Sequence, residues 1–340
     1  MKVLVDAVYI NNSGGLVLLR YLIDEITKRE MDIHFLLDER VRKYNLLPDS
    51  KATYMVGSEK NRNNFYKLYG SDFDSVLCFG NIPPTIRLKA DVSTLFQNVI
   101  LAKLPAQVPL LRRPKWLLKR YYIKRIKMNT DRWIVQTSNT KGLIASSFDV
   151  DPESIIICPF FDESKFPPID GATKECYDYS YVAKCIPEKN HKLLLLAWIE
   201  LAKMGLYPKL HITISNYPRD IQSLLDLALS LGCNIVNHGF CDLEQVKEIY
   251  KMSKAVVYTS MNESFGLGMI EAMNMGCDVI GPNLPYVTSI CNPSERFDYD
   301  AHSLAEAIVK YEKGGSPKTE NFVKNEIDRF LAIINDKHDL

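Results

Sequence analysis

Short apolar runs alternate with amphipathic stretches along almost the whole of this chain. The first half carries "KVLVDAVYI", "DIHFLLDE", "ATYMVG", "SVLCFGN", "STLFQNV", "RWIVQTS" and "SIIICPF". The second carries "YSYVAK", "KLHITIS", "NIVNHGF", "KAVVYTS" and "CDVIGPN". Most are continuous apolar runs rather than in-and-out alternations, the pattern of strands covered on both faces. Between them the apolar spacing predicts helices at Leu16–Thr27, Lys192–Met204, Pro218–Leu231 and Leu243–Met252. Strand–helix alternation means parallel sheets, and about a dozen strands divide better into two sheets than into one.

The break between the sheets is expected at "DESKFPPIDGATKECYDYS" (162–180), rich in Pro, Gly, Asp and Ser and without periodicity. The expected division is a Rossmann-like domain over residues 1–163 and a second over 164–318. "ENFVKNEIDRFLAIIND" (320–336), after the Gly-Gly-Ser-Pro break at 314–317, reads as an amphipathic helix packing back on the first domain. Two such α/β domains facing each other place ligands in a central cleft, at the carboxyl ends of the strands.

Composition narrows the partners only a little. Apolar residues make up 46% of the 340 and charged residues 24%, and 42 basic against 41 acidic side chains leave a charge of +1. Eight cysteines are scattered without a C-x-x-C pair, which argues against zinc and a disulfide framework and suits a reducing cytosol. "MKVLVDAVYINNSGG" does not read as a signal peptide, because Asp6 interrupts a short apolar run. The longest greasy stretch, "LLLLAWI" (193–199), is too short to span a bilayer.

Chemistry concentrates in "MNESFGLGMIEAMNMGCDVIG", Met261 to Gly281, where Glu263 and Glu271 stand eight positions apart in an apolar segment. "KAVVYTS" reads as a strand ending near Ser260, followed by a turn and a helix from about Phe265 to Met275. The first turn of that helix offers unpaired N–H groups, and Gly266 and Gly268 admit a ligand close to the backbone, as a phosphate or sugar hydroxyl requires. Glu271, one turn further in, is costly to bury without donors, and a vicinal diol supplies two. The bland alternative is a partly exposed helix with Glu271 facing water.

With its glycines and the following strand, this stretch resembles the E-x7-E motif of retaining glycosyltransferases of family 4, the group 1 glycosyl transferases of GT-B fold. The resemblance covers the whole second domain and, more loosely, the first. "YSYVAKCIPEKNHKLLLLAWIEL" (179–201) is similar to the family segment whose arginine and lysine bind the donor pyrophosphate, here Lys184 and Lys189. Two cations near a strand end stabilise a diphosphate leaving group without a metal. Lys184 departs from the family's arginine, since lysine cannot fork onto phosphate oxygens, and Ala183 replaces a common glycine. "IVNHGFCDLEQVKEIYKMSKAVVYTS" (235–260) resembles the base-binding region, with Phe240 or its backbone neighbours meeting the nucleobase and His238 a local hydrogen-bonding residue.

In the first domain Gly14 and Gly15 are expected between the first strand and its helix, where the family's glycine loop approaches donor phosphate and acceptor. The loop lacks the third glycine of a dinucleotide fingerprint, so NAD is not indicated. Gln97 and Asn98 stand where many relatives carry a histidine near the transferred sugar, and Asn98 is the candidate sugar contact. The D-x-D triplets at 72–74, 149–151 and 298–300 read as turn chemistry rather than as a metal motif.

From Val92 to Thr130 there is no acid, while nine basic residues run from Lys103 to Lys127. On a helical wheel Arg120, Lys124 and Lys127 face one way and Leu118, Tyr122 and Ile126 the other, which suits anionic lipid headgroups. No recognition motif for nucleic acid accompanies the charge.

The resemblance thus implies a nucleotide-diphosphate-sugar as donor substrate, with no metal and no further cofactor. Glu271 would take the ribose hydroxyls and Glu263 those of the transferred hexose. The N–H groups of Ser264, Phe265, Gly266 and Leu267, with Lys184 and Lys189, would hold the pyrophosphate. Transfer would retain anomeric configuration by front-face attack, a leaving phosphate oxygen taking the acceptor's proton. A saccharide acceptor, lipid-linked and met at the inner face of the cell membrane through residues 112–127, would place the protein in surface polysaccharide assembly. A nucleotide-sugar 2-epimerase of the same fold and an inactive relative acting as a partner subunit are the alternatives.

Overall fold

The computed structural model describes residues 1–104, 110–168 and 178–335. They form two units, one from Met1–Asp162 with the chain from Lys324 onward, the other Glu163–Val323. Residues 169–177 of the expected linker, and Asp336 at the end of the expected last helix, lie outside the described residues.

The first unit is built on a parallel sheet of seven strands: β1 (Val3–Ala7), β2 (Ile33–Asp38), β3 (Ala52–Met55), β4 (Ser75–Cys78), β5 (Asp91–Leu95), β6 (Arg132–Val135) and β7 (Ile155–Ile157). Their order is β3-β2-β1-β4-β5-β6-β7. Every residue of β1 and β4 is buried, as the uninterrupted apolar runs require. The second unit repeats the plan with β8 (Asp178–Tyr181), β9 (Leu210–Ile212), β10 (Ile235–Asn237), β11 (Ser253–Val257) and β12 (Asp278–Pro282). A short pair, β13 (Cys291–Asn292) and β15 (Glu320–Asn321), is antiparallel, while β14 (Glu295–Phe297) closes the six-stranded order β10-β9-β8-β11-β12-β14. In each sheet the winding reverses beside its first strand, between β1 and β4 and between β8 and β11. Parallel α/β sheets bind ligands outside the carboxyl ends of the strands at such a reversal.

Two expectations about local structure are corrected. The helix expected over 320–336 is confined to Ile327–Asn335, because Glu320 and Asn321 are used as β15. This helix lies in the first unit, where the Ser75 hydroxyl donates to the Ile334 carbonyl at 2.9 Å. Gly14 and Gly15 are not in a loop; they fill the first turn of the Ser13–Lys28 helix, and Asn12 is its cap. The D-x-D residues take up turn and cap positions. The Asp151 and Asp300 side chains accept from the N–H groups of Glu153 and Ser303, and Asp149 is left-handed after its helix.

The carboxyl ends of β1 and β4 close over a buried ion pair. Asp6 and Arg62, 2% and 1% exposed, meet with Nε 2.6 Å from Oδ2. The Tyr66 hydroxyl donates to the same carboxylate, and the guanidinium donates further to the Ile82 and Pro83 carbonyls at 2.8 and 2.9 Å. Arg62 thereby ties the Glu59–Tyr69 helix to the loop after β4. Removing one partner strands a buried charge, so Arg62→Ala is expected to destabilise by about 3–5 kcal/mol. Urea unfolding checks this, and an unchanged midpoint would show that the pair does not hold this end of the sheet.

Candidate functional site

The reversal between β8 and β11 gathers residues far apart in the chain. The loop after β8 runs through Lys184 to a single helical turn, Pro187–Lys189, and the segment after β11 runs through Glu263. Their backbones are stitched together: the Lys189 carbonyl accepts from the Tyr181 and Thr259 hydroxyls at 2.8 and 3.0 Å, and Met261 N–H donates to the Glu188 carbonyl at 2.8 Å. Tyr299 adds a bond to the Thr259 carbonyl at 2.7 Å and Tyr286 one to the Ser260 carbonyl at 2.8 Å. The outcome is a direct ion pair between Lys189 Nζ and Glu263 Oε1, both largely covered. Lys189, expected at the pyrophosphate, and Glu263, expected at the transferred hexose, are therefore neighbours.

The helix that follows spans Leu267–Asn274, shorter than expected, because Gly266 adopts a left-handed φ of 67° at its cap. A side chain there would also meet Ile290 Cδ1 at 2.8 Å, so only glycine fits. Gly268 is equally constrained. A Cβ on it would lie 2.7 Å from the Tyr258 hydroxyl, and Tyr250 donates to its carbonyl at 3.1 Å. The Gly266 carbonyl takes the N–H groups of Met269 and Ile270, which leaves those of Gly266, Leu267 and Gly268 without a bond to another described residue. Phe265 turns its ring into the core at 4% exposure, so it offers a ligand only its backbone.

Glu271 lies one turn below, half-buried, with Oε2 3.9 Å from where a Cβ on Gly268 would be. None of the described residues donates a hydrogen bond to its carboxylate. Burial raises its pKa from the usual 4.5 to about 7, against a weaker lowering by Lys165. Tyr250 and Tyr258 beside it are held neutral, chiefly by burial and then by neighbouring acidic groups. The helix tip thus presents free N–H groups between a lysine–carboxylate pair and a carboxylate poised near neutrality.

In the same unit a cavity of about 400 Å³ opens at the carboxyl ends of β8, β9 and β10, walled by Lys184, Ile186, Thr213, Asn216, Phe240 and Val246. Phe240 is 80% exposed, an aromatic surface with little protein against it. Lys184 and Phe240, assigned from separate motifs, therefore line one cavity. In the first unit Gly14, Gly15 and Asn98 stand at the carboxyl ends of β1 and β5. The Asn98 carboxamide oxygen is already used as a helix cap, accepting from Ile100 N–H at 3.2 Å.

The tyrosines that stitch the site, Tyr181, Tyr286 and Tyr299, escaped the sequence reading. Their apolar bodies read as core, and only the fold brings their hydroxyls to the backbone of the two loops. Asn190 was also missed. It takes φ 48° and caps the His191–Lys203 helix by accepting from Leu193 N–H, and an Asn before an amphipathic run was the available signal.

Comparison with known proteins bears on both units. Residues 163–329 match the family model described as Glycosyl transferases group 1, so the second unit carries a group 1 glycosyl transferase domain. Among curated proteins, the D-inositol 3-phosphate glycosyltransferase of Corynebacterium kroppenstedtii is 26% identical over 187 residues, covering 49% of this chain and 42% of that protein. The tRNA-queuosine alpha-mannosyltransferase of Drosophila melanogaster is 25% identical over 173 residues, 48% of this chain and 46% of that protein. The chain thus spans less than half the length of these relatives. Among solved structures, sucrose-phosphate synthase from Thermosynechococcus elongatus superposes with a TM-score of 0.71 at 15% identity, covering 98% of this chain and 95% of that one. Anabaena Alr3699/HepE in complex with UDP gives 0.68 at 12% identity over 98% and 95%. The fold is that of the GT-B glycosyltransferases, two parallel-sheet α/β units.

The raised pKa of Glu271 has a consequence for the unliganded protein. Between the usual 4.5 and about 7 the folded state holds a proton that the unfolded state has lost. Stability is therefore greatest below the unfolded value and falls as pH climbs through 7. Thermal melts from pH 5 to 8 should show a decline in the wild type that Glu271→Gln lessens. Parallel profiles for the two proteins would place the Glu271 carboxylate in water.

Proposed function

We infer that this chain, whose second unit carries a group 1 glycosyl transferase domain, transfers a sugar from a nucleoside-diphosphate-sugar to a saccharide acceptor. The observation that supports this best is the Gly266 helix tip, whose N–H groups, like the Glu271 carboxylate, have no hydrogen-bond partner among the described residues, beside the Lys189–Glu263 pair. A diphosphate fits the tip, because helix N–H groups and a lysine are donors aimed at negative charge. A ribose diol fits Glu271, to which none of the described residues donates. The cavity walled by Lys184 and Phe240 is the place for the base.

The roles then follow by charge. Lys189 and Lys184 stabilise the diphosphate as it leaves, a role lysine fills as a point charge rather than a fork. Once the phosphates engage Lys189, Glu263 is released to accept hydroxyls of the transferred sugar. Front-face attack with retention suits a site in which a leaving phosphate oxygen takes the acceptor's proton. Metal independence is the matching proposal, with cations and the helix tip in place of a divalent ion. A complex with UDP is known for the Anabaena protein of the same fold, which makes UDP the first probe here.

The basic segment carries the proposal of a lipid-linked acceptor at the cytoplasmic membrane face, with a corrected surface. In the Arg113–Ile126 helix the face turned inward is Ile123 and Ile126, and Tyr122 is tied to Glu59 at 2.9 Å. Leu118, grouped with Tyr122 and Ile126 on the wheel, is 69% exposed, with Leu117 at 53% and Tyr121 at 66%. Lys115, Lys119, Lys124 and Arg125 are exposed on the same helix. Apolar side chains among cations are suited to an anionic bilayer surface. Among the described residues no helix is long and apolar enough to cross a membrane.

Two measurements check this reading. Ribose hydroxyls donate to an ionised carboxylate, so UDP affinity measured by calorimetry should rise from pH 6 to 8. Glu271→Gln should weaken it by about 1.5–3 kcal/mol and flatten the profile. A folded variant that binds UDP as tightly as wild type removes the ribose assignment. For the membrane surface, each cation near the lipid contributes roughly 1 kcal/mol in a salt-screened manner. Changing Lys115, Lys119, Lys124 and Arg125 together to Gln should release the protein from phosphatidylserine vesicles in sedimentation at low salt. Equal sedimentation would reduce the helix to a solvated face.

A further inference from the structure

Asp178, His211 and His238 form a hydrogen-bonded file that the chemistry above does not use. Asp178 opens β8, His211 lies in β9 and His238 follows the last residue of β10, so the file crosses three adjacent strands. His211 Nε2 is 2.8 Å from Asp178 Oδ2, and His211 Nδ1 is 2.8 Å from His238 Nε2. The two rings stack with centroids 5.1 Å apart, and Lys209 Nζ stands 3.1 Å from the same Asp178 oxygen. His211 is 2% exposed.

A proton inventory gives the file a direction. An ionised carboxylate only accepts, so His211 Nε2 carries the hydrogen facing Asp178. Nδ1 of neutral His211 is then a bare lone pair, and His238 must donate to it from Nε2. Asp178 thereby sets the tautomers of two rings in series. One added proton is tolerated, with imidazolium at His211 donating from both nitrogens and the His238 hydrogen moved to Nδ1. A second is not, because two N–H groups then face each other. Among the described residues, the charged groups that face the pair are Asp178 at the start of β8 and Lys209 just before β9.

The file ends where the cavity begins. His238 N–H donates to the Ile212 carbonyl at 2.9 Å, Gly239 N–H donates to Asn237 Oδ1 at 3.1 Å, and Gly239, Phe240 and Cys241 line the cavity. Phe240 has little packing of its own to hold it. The ring of His238 is the one side chain of this turn bonded to a buried strand residue among the described contacts.

We propose that the Asp178–His211–His238 file is a positioning device, which anchors the 238–241 turn and so holds Phe240 as a wall of the cavity beside Lys184. It lets go when both imidazoles are protonated. Burial first, and then His211 and Lys209, push His238 below the usual histidine range, so release belongs to acid pH. What the cavity binds rests on the nucleotide reading given above; the anchoring does not.

The test uses the full chain with Phe240→Trp as a reporter, read as the emission difference from the parent protein. Emission of the introduced indole should change in one step between pH 7 and pH 4.5 while far-UV circular dichroism holds. His238→Gln supplies the same donor without titrating, so it should keep the neutral emission throughout. His238→Ala should show the released emission even at pH 7. In the parent protein His238→Ala should weaken UDP binding about tenfold, the worth of one hydrogen bond, and His238→Gln should restore it. Emission indifferent to pH and unchanged by His238→Ala would overturn the proposal. The expected emission behaviour without binding of UDP, GDP or ADP would uphold the anchor and sink the nucleotide reading of the cavity.

Discussion

A half-buried carboxylate on an apolar helix, with no hydrogen-bond donor among the described residues, is the constraint around which the second unit is organised. Glu271 sits on an apolar helix at a depth that raises its pKa to about 7, and the surrounding tyrosines add no hydrogen bond to it. Desolvating an ionised group is costly unless something compensates, and a protein core that needed only packing would place an alanine or leucine there. The helix above Glu271 is positioned with equal care, by the left-handed Gly266 and by Gly268 against the Tyr258 hydroxyl. Such expense at one helix tip is intelligible when the missing partners belong to a ligand.

Around that tip the fold uses backbone bonds rather than side-chain packing to fix geometry. Lys189 and Glu263 come together because their loops leave adjacent strands, β8 and β11, at the reversal of the sheet, and tyrosine hydroxyls clamp the loop carbonyls. The pair stores each charge on the other while no ligand is engaged. The first unit applies the same topology to a different end. At its own reversal Asp6 and Arg62 fill the interior with a fully bonded ion pair. One reversal is closed by protein groups, and the other leaves donors and acceptors open.

The sequence made the architecture legible because buried parallel strands write themselves as continuous apolar runs. "KAVVYTS" and "CDVIGPN" could be little else, and Leu243–Met252 is helical to the residue. Glu263 and Glu271 became candidates because a charge inside an apolar motif stands out, and Lys184 and Lys189 only through the family resemblance of their loop. What stayed hidden depended on long-range choices. Glu320–Asn321 joined a strand instead of the last helix because Cys291–Asn292, distant along the chain, offered a partner. On the basic helix the wheel grouped Leu118 with Tyr122 and Ile126, and only the fold separates them, burying Ile123 and Ile126 and leaving Leu118 exposed. Tautomers such as those of His211 and His238 depend on contacts between strands, which no local pattern records.

The central claim is that one nucleoside diphosphate occupies the Gly266 helix tip and the cavity walled by Lys184 and Phe240 together. Hydrogen–deuterium exchange of the full chain with and without UDP tests it most directly. The account predicts joint protection of the amides at 264–268, 183–186 and 239–241. Protection absent from all three segments while UDP is shown to bind would contradict it.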